Sequence, residues 1–339
     1  MRMLRKLGAA SLGAVVMLAA GHAYADACSN AAETKKITVM ADWIPWANQG
    51  PMFTATNKGY FEDEGIEVNV ISPANPADPI KLVARQRVHL SMTYVPEVMI
   101  SQDTGIPVKS MAVALRVLSS GLTVMPDQGV KTIADLKGKV LGVGPKADAQ
   151  AFLNTILTGA GLTKKDVKIV DPGFGHINFL LKGKVTAAHS LKYAEHMIIE
   201  EIQASKNGPE PIFFAYNEYG VPKMYYQLYV GNGDWAANNP GTMCRFLRAT
   251  AKGAETYFNT DYHKEMNKWI FSKNEIFSLD QHAGMMRGIK THWKDANGKY
   301  WVQTIDSWKE AQAWALKEKL ISVPPPAQSY FTNDYVPGS

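Results

Sequence analysis

The sequence predicts an α/β protein of two lobes, each a mixed sheet flanked by helices, with two chain crossings between them. Three observations lead there. Short β-rich runs alternate with amphipathic helical stretches, which favours α/β over all-α or all-β architecture. The alternation restarts near Thr132. A late β run at residues 225–230 then returns the chain to its first half, and the chain beyond it is mainly helical to Lys319.

The elements run in order along the chain. Residues 36–41 read as a strand, and 52–59 as a helix stopped by Gly59, since glycine takes the left-handed C-terminal position without a Cβ clash. In 66–71, Ile66, Val68 and Val70 alternate with Glu67 and Asn69, the period of a half-buried strand. Pro79 suits the first turn of a helix over 79–86. A strand at 88–92, a helix at 95–104 ended by Gly105, and a strand at 108–115 complete the first series. The second series has a short helix at 132–136, a strand at 139–143 and a longer helix at 147–160. It continues with a strand at 167–170, a helix at 175–182, a strand at 185–189, a helix at 193–204 and a β run at 212–216. Crossings near 115–121 and 219–228 give a first lobe of residues 26–117 and 226–339 and a second of 118–225. In open α/β sheets ligands sit at the carboxyl ends of strands, so two facing lobes make a cleft that hinge motion can close.

Residues 1–25 read as a cleaved export signal. Arg2, Arg5 and Lys6 precede an apolar stretch from Leu7 to Gly21, and Ala23-Tyr24-Ala25 supplies the small-x-small cleavage pattern. The apolar run is shorter than the roughly 20 residues a bilayer span needs. Cys28 lacks the preceding box that lipid attachment requires. The two cysteines, Cys28 and Cys244, can pair under oxidising conditions or remain free thiols, and the sequence leaves both open.

With 339 residues and 46% hydrophobic content the chain can build about two domains. Formal charge is +5, of which three units belong to the signal, so nothing points to nucleic acid or a membrane surface as ligand. Eight Trp, fourteen Tyr and twelve Phe say more, because several stand beside turn residues rather than in periodic apolar segments. Trp43 and Trp46 follow a strand end, Pro45 stiffens their loop, and Asn48 offers both a donor and an acceptor. One of the two tryptophans could equally pack against the first helix. Tyr94 follows another strand. Glu97 sits in a first helical turn, where an acid complements the helix dipole, although a carboxylate also suits an N–H edge or an ammonium group of a ligand. Tyr193 and Glu195 follow the strand that ends near His189 and Ser190, and Phe174 and His176 occupy a strand–helix loop. A flat heteroaromatic ligand needs such stacking faces and a few polar groups on its edge.

Gly142-Val143-Gly144-Pro145 precedes a helix with Asp148 in its first turn. Ala147 takes the third glycine position of a dinucleotide fingerprint and Asp148 would repel an anion, so a tight structural turn is expected there. G-x-S-x-G, H-E-x-x-H and C-x-x-C motifs are all lacking. His189 and His196 span a strand end and a helix, a poor spacing for a metal. No catalysis, cofactor or metal is expected.

Several segments carry a family resemblance. Gly59-Tyr60-Phe61 with Glu64-Gly65-Ile66, Asp135-Leu136-Lys137-Gly138-Lys139, and Leu180 to Ala188 resemble motifs of the periplasmic substrate-binding proteins that handle thiamine pyrimidine precursors, aliphatic sulfonates, taurine and nitrate. Thr186 replaces the acid usual in the third motif. Asp42-Trp43-Ile44-Pro45-Trp46-Ala47-Asn48, residues 76–84, Tyr94-Val95-Pro96-Glu97-Val98 and Glu218-Tyr219-Gly220-Val221-Pro222 resemble the thiamine-precursor branch. Ser190 to His196 departs from that branch's Trp-Asn-x-Glu motif, keeping a Tyr and a Glu but no amide. The resemblance implies a type II periplasmic binding protein, a monomer serving the permease and ATPase subunits of an ABC importer and carrying a small heteroaromatic. The ligand-binding set is then Trp43, Trp46, Asn48, Tyr94, Glu97, Phe174, Ser190, Tyr193, Glu195 and Glu218, with Ser119 and Ser120 on the first crossing. Riboflavin, a sulfonate or taurine, and nitrate are the alternative ligands. Fungal pyrimidine synthases share the fold family, but their Cys-rich iron motif has no counterpart here.

Overall fold

The computed structural model describes residues 27–126 and 128–338, and the expected signal at 1–25 lies outside them. β1 (Lys36–Met40) leads through α1 (Gly50–Asn57) and α2 (Tyr60–Asp63) to β2 (Glu67–Ile71). Then α3 (Asp78–Ala84) leads to β3 (Leu90–Tyr94), and α4 (Val95–Asp103) to β4 (Val108–Leu115). The chain crosses into β5 (Ser120–Val124), β6 (Val140–Gly142), α5 (Ala147–Gly159), β7 (Lys168–Val170), α6 (His176–Leu181), β8 (Ala187–Leu191), α7 (Met197–Ser205) and β9 (Ile212–Ala215). It returns as β10 (Gln227–Asn232), followed by α8 (Gly233–Ala237), α9 (Pro240–Asn259), α10 (Tyr262–Lys273), α11 (Leu279–Ile289) and α12 (Ile305–Lys317).

The strands form two five-stranded sheets, ordered β2-β1-β3-β10-β4 and β7-β6-β8-β5-β9. One plan is used twice. Parallel pairs come from strand–helix–strand crossovers. The strand that has just crossed between lobes is then inserted antiparallel, β10 between β3 and β4 and β5 between β8 and β9. β3, β5 and β10 are buried at every position, as strands covered on both faces are.

Two local expectations change. Ser120–Val124, of which the first two residues fall in the expected crossing and the rest in no expected element, forms a central strand, and its burial on both faces removes the alternation that marks a strand in sequence. The single helix expected over 193–204 is split, because Lys192–His196 makes a turn of π-helix before α7 begins. π turns occur often at functional sites, and this one carries Tyr193 and Glu195.

Cys28 and Cys244 form a disulfide with Cα atoms 5.0 Å apart, settling the pairing that the sequence left open. It ties the turn at Ala27–Ser29 to α9. The lobes also meet away from the strand ends, where Trp314 Nε1 donates to Thr155 Oγ1 at 3.0 Å and Asn154 Nδ2 donates to Glu318 Oε2 at 2.8 Å. Among the described residues no helix is long and apolar enough to cross a membrane.

Candidate functional site

A cavity of about 210 Å³ lies where the carboxyl ends of the two sheets face each other. Asp42, Trp43 and Trp46 reach it from the segment after β1, residues 74–77 from that after β2, and Tyr94 from the end of β3. Lys146 and Asp148 enter after β6, Asp171, Phe174 and His176 after β7, and His189, Leu191 and Glu195 from β8 and the π turn. This is the position that parallel strands give to convergent loops and helix starts.

Aromatic side chains make the walls. Trp43, half-buried, stands 5.3 Å edge-on from Trp46 and 5.7 Å from Phe174, which belongs to the other lobe. Phe277 backs Trp43 at 5.8 Å. Tyr193 stacks on Trp46 at 6.3 Å, and its hydroxyl accepts a hydrogen bond from Asn48 Nδ2 at 3.0 Å. Tyr94 lies 4.9 Å from Tyr226 and donates its hydroxyl to Asp42 Oδ2 at 2.7 Å, while Gln49 donates to Asp42 Oδ1 at 2.8 Å. Ring-to-ring contacts across the cleft and a tyrosine–carboxylate bond at its floor fix these faces before any ligand arrives.

The charge of the lining is lopsided. Among the described residues, four carboxyl groups, of Asp42, Asp148, Asp171 and Glu195, accompany one ammonium, that of Lys146, and no arginine lines the cavity. Lys146 Nζ sits 4.2 Å from the centre of the Tyr94 ring, a cation–π contact. Burial holds His176 down to about 3, helped by His189, and His189 down to about 4, helped by Lys146. Both imidazoles are therefore neutral at ordinary pH. Burial raises the Glu195 carboxyl against the backbone amide of Leu191, which donates to it at 3.0 Å. Burial likewise raises Asp148, with Lys146 opposing. Behind the wall, burial pushes Glu97 up to about 7, with Asp148 adding to the rise and Lys146 countering it.

Of the residues expected to bind ligand, the structure brings Trp43, Trp46, Tyr94, Phe174 and Glu195 to the cavity. The others stand outside its lining. Asn48 turns its amide toward Tyr193, which is itself 7% exposed behind Trp46. Glu97 accepts the hydroxyl of Thr93 on β3. Ser120 lies buried on β5 opposite Leu191, and Ser190 Oγ donates to the carbonyl of Ala188 at 3.1 Å. Ser119, on the crossing, accepts the Lys192 amide through its carbonyl at 2.9 Å. Glu218 is exposed on the turn after β9. Sequence reasoning passes over Asp42, Lys146, Asp148 and Tyr226 as site residues. Asp42 stands within the aromatic loop motif, and Asp148 has a sufficient local explanation in its first-turn position.

The architecture and its cleft define the class, the periplasmic binding protein fold. The alkanesulfonate-binding protein SsuA of Xanthomonas axonopodis pv. citri, bound to MOPS, superposes with a TM-score of 0.67 at 13% identity, over 89% of this chain and 99% of that one. The sequence matches the family described as NMT1/THI5 like over residues 46–261, so the chain belongs to the NMT1/THI5-like family. It is 26% identical over 300 residues to the formylaminopyrimidine-binding protein of Halalkalibacterium halodurans, covering 88% of this chain and 89% of that protein. It is 24% identical over 310 residues to the 4-amino-5-hydroxymethyl-2-methylpyrimidine phosphate synthase THI13 of Saccharomyces cerevisiae, covering 89% and 88%.

Proposed function

We propose that this chain is the extracytoplasmic solute-binding component of an ABC importer and captures a thiamine pyrimidine precursor, or a similar small heteroaromatic, between its lobes. The observation that carries the reading is a cavity lined by the rings of Trp43, Trp46, Tyr94 and Phe174 and ringed by carboxylates. A planar ring stacks on such faces, and carboxylates accept the N–H groups on its edge. The 26% identical formylaminopyrimidine-binding protein supports this ligand class. Sulfonate and nitrate fit poorly, because an anion would meet four carboxyl groups with only Lys146 to offset them.

In this reading residues 26–117 with 226–339 form one lobe and 118–225 the other, and closure around the ligand presents a monomer to the permease and ATPase subunits. The Cys28–Cys244 disulfide agrees with export behind a cleaved signal, since disulfides persist in oxidising compartments. The likeness to a yeast synthase favours a second reading, an enzyme. Against it, the chain's two cysteines are bonded to each other. Mass spectrometry of small molecules released by denaturing freshly purified protein tests the assignment. A pyrimidine in near-equal amount with protein is expected. A flavin or a sulfonate in its place would overturn the ligand, and turnover of pyridoxal phosphate with iron would move the chain to the enzyme class.

A further inference from the structure

Of the four carboxylates that line the cavity, three are satisfied within the protein. Asp42 accepts from Gln49 and Tyr94 at 2.8 and 2.7 Å, Asp171 from the Gly173 amide at 2.9 Å, and Glu195 from the Leu191 amide at 3.0 Å. Asp148 differs. It is 4% exposed, and its Oδ1 meets no hydrogen-bond donor among the described residues. Such an oxygen is costly to bury unless something donates to it.

An acid in a first helical turn does complement the helix dipole, but an exposed side chain does so equally well. Burial in the cavity wall calls for a further reason. The amides at a helix N-terminus ordinarily favour a phosphate, sulfonate or carboxylate group. At the start of the thirteen-residue α5 the carboxylate of Asp148 already holds that field. Lys146, at the N-cap, turns its ammonium to the Tyr94 ring.

The groups that interact with the Asp148 charge are Glu97 of α4, Tyr94 at the end of β3, Tyr226 just before β10, Tyr216 just after β9, and Lys146. Asp42, His176 and His189 share the cavity lining with it. The two histidines are neutral. Burial raises both Glu97 and Asp148, and Lys146 beside them favours the charged forms. The Oδ1 of Asp148 is open to a donor.

We infer that Asp148 reads an amino group or a protonated ring nitrogen of the ligand, and thereby makes the start of α5 reject anionic ligands. This specificity role rests on the proposed capture of a pyrimidine-like heterocycle and deepens it. A site built to accept an N–H rejects the analogue that lacks it, because the buried acceptor is then left unpaired.

Calorimetric titration of the wild type and Asp148→Asn with three compounds tests the role. They are 4-amino-5-hydroxymethyl-2-methylpyrimidine, its 4-oxo counterpart, and the phosphate ester of the amino compound. The wild type should bind the amino compound about 10-fold or more tighter than either of the others. In Asp148→Asn both ratios should fall toward one, with the ester gaining most. Each ratio is taken within one protein, so a general loss of stability cancels. An Asn variant with wild-type ratios would overturn the inference, as would a wild type that binds the oxo compound or the ester as tightly as the amine. The wild-type ratios decide even if the variant fails to fold. Binding of none of the three by the wild type would overturn the proposed function itself.

Discussion

Gly284 and Gly288 stand one turn apart on α11 and face the π turn and α7 of the opposite lobe. A Cβ at Gly288 would lie 2.5 Å from the Cβ of Tyr193, and one at Gly284 would lie 2.9 Å from the thioether of Met197. Met197 can swing aside. Tyr193 cannot, because it stacks on Trp46 and is bonded by Asn48. Gly288→Ala should therefore hold the lobes apart. Overpacking of this kind costs about 1–3 kcal/mol, which is about 5- to 150-fold in affinity. Within α11 the same change favours the helix by up to about 1 kcal/mol, and the clash vanishes once the lobes separate. Calorimetry should thus show weaker ligand binding, while the melting temperature of the ligand-free protein holds or rises. Gly284→Ala should show a smaller loss. Unchanged affinity in Gly288→Ala, or a lower melting temperature with affinity intact, would refute closure onto this face.

Three further outcomes are expected. Trp43→Ala removes the face opposite Phe174 and should weaken binding by about 2 kcal/mol, near 30-fold, in the same titration. Replacing Cys28 and Cys244 by serine should lower unfolding stability by about 2–5 kcal/mol, and a reducing agent should do the same to the wild type; denaturant melts measure both. Glu97 is raised from an ordinary 4.5 to about 7, so the folded chain holds this proton more tightly than the unfolded one. The resulting stability is full below 4.5 and drains as pH rises to 7. Melting temperatures from pH 4.5 to 8 should fall less for Glu97→Gln than for the wild type, and parallel curves would contradict the shift.

Much of the architecture is legible because its signals are local. The alternation of Ile66, Val68 and Val70 with Glu67 and Asn69 marks β2, and Pro79 falls in the first turn of α3. Gly59 does take a positive φ, 71°, at the end of the first helix. Ser120–Val124 is less legible because all five residues are buried, so its sequence carries no period of two. The π turn is hidden for a different reason. Its apolar pattern continues that of α7, and the helix that packs against Tyr193 through Gly288 lies far along the chain.

The site divides along the same line. Trp43, Tyr94 and Phe174 announce themselves as aromatics beside turns at strand ends. Asn48, Tyr193 and Glu97 look equally exposed to the cleft in sequence, but each is engaged by a partner the sequence does not reveal, Asn48 and Tyr193 by each other from opposite lobes. Asp148 escapes notice because a first-turn acid explains itself locally. Only the assembled cavity shows that its Oδ1 lacks a donor among the described residues.

The central claim is that the cleft lined by Trp43, Trp46, Tyr94 and Phe174 holds a heteroaromatic ring. A crystal structure of the chain saturated with 4-amino-5-hydroxymethyl-2-methylpyrimidine tests it most directly. The account predicts the ring in that cleft, one per chain, with its amino edge toward Asp148. A pyrimidine bound elsewhere, or an anion seated in the cleft in its place, would contradict it.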